Sequence, residues 1–475
     1  MTFRVPVPTF RRSPPARLNP VALAAAVVLG GGFVPVPLVA TGGAPLAGVT
    51  PLAAQETAPA AQVAPPAVDE RIFAIIAGAS PARIEHDIRT LVGFGTRNTF
   101  SDTLSETRGI GAARRWVKAE MERISAACGG CMEVSYQQWM VTPEMSRRIP
   151  RPVNVVNVVG VIRGTRYPNR YVIMSGDIDS RASRGTDAET DAPGANDNAS
   201  GMAGVLEAAR LLSQHRYPTS VVFVGLSGEE QGLWGGQYMS RKAKEDGWDI
   251  VGVLNDDMIG NIEGIDGVIA NNTFRVFSEP FPRTASEREL RGYRTYGGEV
   301  DGPSRQLARY VARIADTYFT NLDAMMIYRL DRFGRGGHHR PFNDQGFPAV
   351  RVMETHENYY RQHQDVRTEN GIAYGDVIAG VNFDYAARLT AVNAAVLASL
   401  AWAPPQPDSV RIGGAVRPST VLAWKGTDDP ELAGYKVYWR DTTAPQWQHS
   451  RFVGKVATYT LRNMVIDNYL FGVAW

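Results

Sequence analysis

The sequence predicts an α/β protein in which helices flank a mostly parallel mixed sheet, followed by a small all-β sandwich at the carboxyl end. Three observations predict this fold. Short β-branched runs alternate with segments of helical period between residues 155 and 400, prolines interrupt that pattern after residue 403, and strand-like runs alone follow the prolines. Strands that alternate with helices favour a parallel sheet covered on both faces. A chain of 475 residues is also long enough for a large core and a smaller module.

The predicted elements begin with helices at Ile72–Ala77, Ile84–Val92 and Ala112–Ala127, where apolar residues recur with helical spacing. The predicted strands Val155–Ile162, Tyr171–Ser175, Val221–Leu226 and Ile250–Leu254 then alternate with helices at Met202–Leu212 and after Trp234. The layer continues through Arg305–Tyr318, Met325–Leu330, Ala349–Met353 and the long helical Val377–Leu400. In such sheets, ligands gather at the carboxyl ends of the strands.

The carboxyl end changes character at Pro404, Pro405 and Pro407. The strand-like runs that follow are Val410–Ile412, Ser419–Trp424, Gly434–Arg440, Thr458–Leu461 and Tyr469–Ala474. Residues 404–475 resemble a fibronectin type III module, chiefly in the strand ending at Trp424 and the alternation of Tyr435–Trp439, and one more strand would be expected after Trp475. Nothing in the module names a ligand. The Pro-rich hinge predicts few contacts with the preceding domain, which we place at residues 69–403.

The amino-terminal region predicts export. Its first twenty residues contain four arginines and no acid, and an apolar run follows at Val21–Val28. We interpret residues 1–54 as a signal peptide and the Ala- and Pro-rich residues 55–68 as a disordered leader. The apolar run is shorter than the roughly 20 residues of a membrane span, so no stable membrane insertion is expected after cleavage, although a retained anchor is the alternative. The mature protein would be secreted or periplasmic, and Cys128 and Cys131 would form a local disulfide there.

The charge balance argues against a nucleic-acid partner. Fifty Lys and Arg residues face 48 Asp and Glu residues, which leaves a formal charge of +2. Phosphate-backbone binding needs a clustered basic patch or stripe, and the sequence has none.

Four carboxylate-rich clusters interrupt the apolar segments. They are Gly176-Asp177-Ile178-Asp179-Ser180, Pro193-Gly194-Ala195-Asn196-Asp197-Asn198-Ala199-Ser200-Gly201, Gly228-Glu229-Glu230-Gln231-Gly232 and Asn255-Asp256-Asp257-Met258-Ile259-Gly260. If the strands are parallel, all four clusters meet at one rim. So many acids at one rim would repel each other unless a cation neutralised them.

A fifth cluster, Gly336-Gly337-His338-His339-Arg340-Pro341-Phe342, adds imidazole. Carboxylates with histidine and without thiolate fit zinc, manganese or a pair of such ions in a hydrolytic site. Two ions about 3.5–4 Å apart would share one carboxylate. A free carboxylate beside them could act as a general base.

The order of these clusters resembles metallopeptidase family 28, which contains the two-zinc aminopeptidases and, as relatives, glutamate carboxypeptidases and glutaminyl cyclases. The likeness covers GANDNASG, GEEQG, N-x-DMIG and a histidine three residues before a phenylalanine, and it extends from Phe94 to Leu400. The resemblance implies a zinc-exopeptidase fold and two divalent ions. It assigns Asp197 as the bridging ligand, Glu229 as the general base and Glu230 as a ligand of one ion, with Asp257 and His339 binding the other.

One departure from the family pattern concerns the first ion. Where the family has His-x-Asp-Ser, this chain has Asp177-Ile178-Asp179-Ser180. The resemblance therefore implies an all-oxygen set of Asp177, Asp197 and Glu230, which would favour manganese or magnesium over zinc. Asp179 matches an acid that normally orients the missing histidine, and His338 stands where the family commonly has an acid.

We interpret the protein as a secreted exopeptidase, specifically an aminopeptidase, that uses Glu229 to activate water against peptide substrates. Tyr359, Tyr360 and His363 are candidates for the substrate pocket, and surface or helix-capping roles explain them equally well. Two other classes stay open. One is a glutaminyl cyclase-like acyltransferase, and the other is a non-catalytic binding protein on the same fold.

Overall fold

The computed structural model describes Ala64, residues 68–297 and residues 301–475. Within those residues the helices are α1 Glu70–Ala77, α2 Pro81–Gly93, α3 Gly109–Ala127, α4 Ala199–Leu212, α5 Trp234–Glu245, α6 Glu287–Tyr296, α7 Pro303–Tyr318, α8 His339–Asp344 and α9 Phe383–Trp402. The strands are β1 Met132–Val141, β2 Val153–Ile162, β3 Tyr167–Asp177, β4 Thr219–Leu226, β5 Asp249–Asp256, β6 Thr273–Phe277, β7 Asp323–Ile327, β8 Ala349–Glu354, β9 Arg367–Glu369, β10 Ile372–Tyr374, β11 Asp408–Gly413, β12 Thr420–Lys425, β13 Tyr435–Asp441, β14 His449–Gly454, β15 Thr458–Leu461 and β16 Tyr469–Ala474.

An eight-stranded mixed sheet forms the centre of the larger domain. Its strand order is β1-β2-β4-β3-β5-β8-β6-β7. The strands β4, β3, β5 and β8 run parallel to their neighbours within this group, whereas β1, β2 and β6 introduce antiparallel pairs. The predicted fold class, a mostly parallel mixed sheet flanked by helices, is confirmed.

The two faces of the sheet build two cores because successive strand residues point to opposite sides. Val172 and Met174 of β3 pack in the larger core with α4 and α9. Ile173, between them in sequence, packs in the smaller core with Met239 of α5 and Phe342 of α8. Every residue of β4 is buried, as expected for a central strand that is covered on both faces.

The structure differs from the sequence prediction at several elements of this domain, since the sequence did not predict α6, α8, β1, β6, β9 or β10 and the last helix begins later than predicted. The last helix begins at Phe383 rather than Val377, since the Asn382 side chain accepts a hydrogen bond from the Tyr385 amide at 2.8 Å and caps the helix there. The edge strand β1 was not predicted. It pairs with β2 alone and carries several polar residues, so its apolar pattern is weak.

The predicted small all-β unit is also confirmed. Two three-stranded antiparallel sheets, with orders β11-β12-β15 and β14-β13-β16, enclose a core that includes Trp424, Tyr435 and Val437. The strand β14 was not predicted. The likeness to fibronectin type III and the domain boundary at residues 403 and 404 stay predictions, and that boundary lies in the connection between α9 and β11.

The prediction of few contacts across the Pro-rich hinge is wrong. Arg440 of β13 is fully buried and places Nη2 2.7 Å from Oδ1 of Asp301, which also lies 2.6 Å from Nη1 of Arg309 in α7. On another side of the module, Asp429 receives Arg166 Nη1 at 2.7 Å and the Tyr167 hydroxyl at 2.6 Å. The hinge prolines therefore join two units that are tied together by charged hydrogen bonds.

The predicted disulfide is present, since Cys128 and Cys131 are bonded with their Cα atoms 5.6 Å apart. The predicted signal peptide lies outside the described residues, and so does the predicted leader apart from Ala64 and Val68. Among the helices that the structure describes, none is long and apolar enough to cross a membrane.

Candidate metal centre

The polar clusters meet because the neighbouring parallel strands β4, β3 and β5 end at the same edge of the sheet. Asp177 at the end of β3 lies opposite Leu226 at the end of β4, directly before the cluster that contains Glu229. On the other side, Ser175 of β3 lies opposite Asn255 of β5, two residues before Asp257. The expected convergence of strand ends therefore places these carboxylates around one rim.

Three side chains at this rim form a group that could hold a metal ion. One ligand atom from each of Asp197, Glu230 and His363 lies within 4.8 Å of the others. Nε2 of His363 is 3.0 Å from Oδ2 of Asp197 and 3.3 Å from Oε2 of Glu230. His363 also adopts a φ of 51°, a left-handed conformation that is uncommon for a residue other than glycine.

The charges of this group depend on each other. Although burial acts in the opposite direction, the carboxylates of Glu230 and Asp197 raise the pKa of His363 to about 10. The metal-free imidazole is therefore a cation that balances two carboxylates. A divalent ion would replace that proton and satisfy the same three donors.

The loop that presents Asp197 is fixed from a distant part of the chain. Asp376 accepts the backbone N–H of Asn196 at 2.9 Å and that of Asp197 at 2.6 Å. The Asn196 side-chain amide donates to both carboxylate oxygens of Glu354, at 3.0 and 2.9 Å. These hydrogen bonds to buried groups fix the backbone of the loop from which the Asp197 carboxylate projects.

Glu229 stands beside the metal-binding group, on a turn that Asp179 holds. Asp179 accepts the backbone N–H groups of Glu229 and Glu230, each at 3.2 Å, and the Thr99 hydroxyl at 3.3 Å. Asp179 therefore positions the turn of the candidate base rather than a histidine. Burial, and then the charges of Glu230 and Asp257, raise the pKa of Glu229 well above its usual value. A carboxylate with a raised pKa is suited to general-base work near neutral pH.

Asp177 is engaged by other side chains. One of its oxygens contacts Nδ1 of His338, and the other accepts the Asn198 side-chain amide at 2.9 Å. Burial lowers the pKa of His338 to about 4, so this imidazole is neutral at pH 7. Burial, followed by the charge of Asp179, raises the pKa of Asp177 well above its usual value.

The Asp257 carboxylate also contacts another side chain. Its Oδ2 lies 3.0 Å from Nη2 of Arg351, a fully buried guanidinium that also lies 3.2 Å from Oδ1 of Asp331. Burial raises the pKa of Asp257 well above its usual value, and the nearby charges of Asp177 and Asp197 raise it further while Arg351 lowers it. Asp177, Asp197 and Asp257 are therefore close enough to repel one another.

His339, the histidine that the family resemblance assigns as a ligand, has other contacts in the structure. Nε2 of His339 lies 2.7 Å from the carbonyl oxygen of Leu330 and 3.6 Å from Oδ2 of Asp331, and His339 is not part of the group with Asp197 and Glu230. The structure thus places His363, and not His339 or Asp177, in the group with Asp197 and Glu230.

A sequence signal for His363 did exist. The run His363-Gln364-Asp365 follows the buried strand β8, as the other polar clusters follow their strands. The supporting residues Asp376 and Arg351 had no such signal. Of the other pocket candidates, Tyr359 is 56% exposed, and the Tyr360 ring packs edge-on against Tyr374 with centroids 5.3 Å apart. Their place in a substrate pocket stays a prediction.

The donor set of Asp197, Glu230 and His363 fits zinc. Catalytic zinc sites combine three protein ligands drawn from carboxylate, imidazole and thiolate and leave a further position open. Two carboxylates and one imidazole, with the candidate base Glu229 alongside, meet this requirement.

Comparison with known proteins agrees with this chemistry. Residues 157–377 match the model for peptidase family M28. A protein of Leptosphaeria maculans named "probable zinc metalloprotease" is 43% identical over 409 residues, which covers 86% of this chain and 94% of that relative. The chain belongs to peptidase family M28.

Solved structures with the same fold include an aminopeptidase and a glutaminyl cyclase. The LapA aminopeptidase of Legionella pneumophila aligns with a TM-score of 0.50 and 19% identity, covering 70% of this chain and 75% of that one. The glutaminyl cyclase of Macrostomum lignano aligns with a TM-score of 0.50 and 14% identity, covering 72% of this chain and 95% of that one. At these identities, the likeness shows the fold alone.

Proposed function

We propose that this M28 peptidase is a zinc-dependent aminopeptidase that removes amino-terminal residues from peptides. The observation that carries the proposal is the group of Asp197, Glu230 and His363, whose ligand atoms lie within 4.8 Å of one another next to Glu229. The zinc metalloprotease name of the relative from Leptosphaeria maculans supports the choice of metal, and the LapA likeness agrees with the choice of reaction.

Zinc, when bound by Asp197, Glu230 and His363, supplies Lewis-acid polarisation of the scissile carbonyl and lowers the pKa of water. Glu229 takes the proton of the attacking water and returns it to the leaving amine. Asp179 keeps Glu229 in place through the two backbone N–H groups of the turn. The raised pKa of Glu229 serves both halves of this proton transfer, since the residue must accept and then release the same proton.

The concentration of acidic side chains at the rim supports action at the amino terminus of the substrate. Asp177 lies close enough to raise the pKa values of both Glu229 and Asp257, and Asp257 raises that of Glu229. An α-ammonium group would be attracted to such a rim, whereas the carboxyl terminus of a peptide would be repelled.

We further infer two classes of ion site. The group with His363 holds the tight zinc ion. A second ion would bind among Asp177, Asp197 and Asp257, where it must displace the contacts of His338 and Arg351 and so binds more weakly. Oxygen donors would dominate there, which opens this second position to manganese or magnesium.

The remaining proposals concern location and domain organisation. A disulfide between Cys128 and Cys131 is typical of an oxidising compartment, and with the predicted signal peptide it supports a secreted or periplasmic protein. We assign the catalytic domain to residues 69–403 and a fibronectin type III-like module to residues 404–475. The strand orders of its two sheets agree with such a module.

A substrate panel on the zinc-loaded protein tests the proposed reaction. We expect hydrolysis of amino-acid anilides and of peptides with a free amino terminus, and no hydrolysis of the same peptides after amino-terminal acetylation. Cleavage of acetylated peptides would refute the aminopeptidase assignment. Cyclisation of a peptide with amino-terminal glutamine, without anilide hydrolysis, would instead identify a glutaminyl cyclase. If the protein binds zinc but has neither activity, the remaining alternative is a non-catalytic binding protein.

A further inference from the structure

A cleft lies beside the amino-terminal end of α3. Its volume is about 1040 Å³, and its walls come from the loop around residues 96–104, from α3 and from the sheet edge formed by β1 and β2. Four arginines line it, Arg108, Arg114, Arg115 and Arg151, against two carboxylates, Asp102 and Glu189. The cleft is therefore lined by more positive than negative charge.

Arg114 stands out among these residues. Its side chain is only 6% exposed, yet neither Nε nor Nη2 has a hydrogen-bond partner in the described part of the chain. Burial lowers the pKa of Arg114 to about 10, which reflects the cost of keeping this charge away from water. Buried charges are normally paired or fully hydrogen-bonded because an unpaired one is strongly destabilising.

Arg97 shows how this protein usually satisfies a buried guanidinium. Arg97 is 1% exposed, and its nitrogens donate to the carbonyl oxygens of Ile178 at 2.8 Å and Gly194 at 2.9 Å, as well as to those of Leu91 and Pro193. Arg114 has a similar burial without such a set. Nε and Nη2 of Arg114 could therefore bind an acceptor that is not part of the chain.

The other cleft arginines are already bound to protein groups. Arg108 lies 2.7 Å from Oδ1 of Asp191, Arg115 donates to the Thr103 carbonyl at 2.9 Å, and Arg151 donates to the Phe100 carbonyl at 2.7 Å. They contribute positive potential to the cleft but have fewer free donors. Oδ1 of Asp102 accepts two backbone N–H groups, from Leu104 and Ser105, and in the described part of the chain neither Nε nor Nη2 of Arg114 donates to Asp102.

We propose that this cleft, here called the Arg114 cleft, binds an oxyanion of the carboxylate or phosphate class on the Nε and Nη2 edge of Arg114. That edge presents two parallel N–H groups, the geometry that receives both oxygens of a carboxylate or phosphate. The source of the oxyanion is either a free inorganic ion or the terminal carboxylate of a short peptide.

The Arg114 cleft and the catalytic turn share a wall residue. Thr99 lines the cleft, and its hydroxyl donates at 3.3 Å to Asp179, which holds the backbone of Glu229 and Glu230. An oxyanion in the cleft would thus lie one side chain away from the group that positions the base. Arg114 itself is not a member of the metal-binding group, so direct binding of an oxyanion can be measured besides activity.

The first experiment measures binding of inorganic phosphate to the zinc-loaded full-length protein by calorimetry. The variants are Arg114→Met and, as the matched control on the same helix, Arg123→Met, whose side chain is 60% exposed. We expect Arg114→Met to weaken phosphate binding about 10- to 100-fold and Arg123→Met to leave it unchanged. Phosphate that reaches the zinc instead would bind all three proteins alike.

The second experiment distinguishes the two sources. It compares KM for a dipeptide and for the same dipeptide with an amidated carboxyl terminus. A KM that rises about tenfold or more on amidation in the wild type, but not in Arg114→Met, identifies the substrate carboxylate. Arg114-dependent phosphate binding with no effect of amidation identifies a free ion. If neither phosphate binding nor KM depends on Arg114, the proposal is overturned.

A thermal shift gives a third readout. Added phosphate should raise the melting temperature of the wild-type protein and not that of Arg114→Met, since a ligand stabilises only the protein that binds it. An equal rise in both proteins would overturn the proposal.

Discussion

Nε2 of His363 lies 3.0 Å from Oδ2 of Asp197, although 166 positions separate the two residues in the chain (363 minus 197). This contact, rather than the neighbourhood of His339, locates the imidazole of the metal-binding group. The two histidines have different contacts, so substituting each one should have a different effect on zinc binding.

His363→Ala should abolish tight zinc binding, because it removes one of three donors at the centre. His339→Ala serves as the matched control and should retain the zinc, since His339 contacts the Leu330 carbonyl instead. We expect a loss for His363→Ala larger than the about 10- to 100-fold that follows removal of an outer partner. The measurement is metal content after dialysis, with competitive zinc titration for affinity. Loss of zinc in His339→Ala alone would restore the original assignment.

Glu229→Gln should keep its zinc and lose turnover by about 10²- to 10⁴-fold, because the amide preserves the shape of the side chain without its basicity. Steady-state kinetics on an amino-acid anilide and metal analysis of the same preparation check both parts. Activity close to that of the wild type, with zinc still bound, would exclude Glu229 as the base.

Asp177→Asn should leave the tight zinc ion in place and weaken only the second class of ion. The reason is that Asp177 contacts His338 and Asn198, whereas the tight group consists of Asp197, Glu230 and His363. Asp177→His should strengthen the second class for zinc by adding a nitrogen donor. Titration of metal-free protein with zinc and with manganese measures the affinity of both classes of ion site. If Asp177→Asn removed the tight ion, the first site would have to include Asp177.

Arg440→Met should lower the free energy of unfolding by about 3 kcal/mol, since it leaves Asp301 with one of its two guanidinium partners at a buried interface. Arg451→Met, on the exposed surface of β14, is the control and should change it by less than about 0.5 kcal/mol. Urea denaturation followed by fluorescence gives both values.

Deletion from Ser409 onward tests the same interface more severely. We now expect the shortened protein to be less stable or insoluble, because Asp301, Arg166 and Arg309 lose partners. A fully stable and active deletion variant would show that these ion pairs contribute little, as the Pro-rich hinge had first indicated.

Local pattern explains why much of the fold was predictable. Buried parallel strands such as β4 are continuous apolar runs, and the clusters with Asp197 and Glu229 follow or lie between such runs in an order that also matched a family. Edge strands are harder to predict, because β1 has one neighbour and tolerates polar residues on its exposed positions.

Identifying the histidine that lies with Asp197 and Glu230 required the tertiary structure. His363 lies on a loop, with a φ of 51°, and no periodic pattern indicates which rim residues such a loop will reach. The contact between Arg440 and Asp301 could not be predicted from the sequence for the same reason. A buried arginine in a strand of a small sandwich gives no sign of a partner 139 positions away, so only the folded chain identifies Asp301.

The carboxylate of Asp376 has a consequence for the order in which this peptidase becomes active. It holds the backbone of Asn196 from 180 positions further along the chain. A ribosome adds about 5–20 residues per second, so the later residue emerges roughly 10–40 s after the earlier one. Until Asp376 has emerged, the nascent polypeptide lacks the clamp on the Asp197 loop, and until His363 has emerged it also lacks that imidazole. The metal-binding group is therefore complete only when almost all of the catalytic domain has been synthesised.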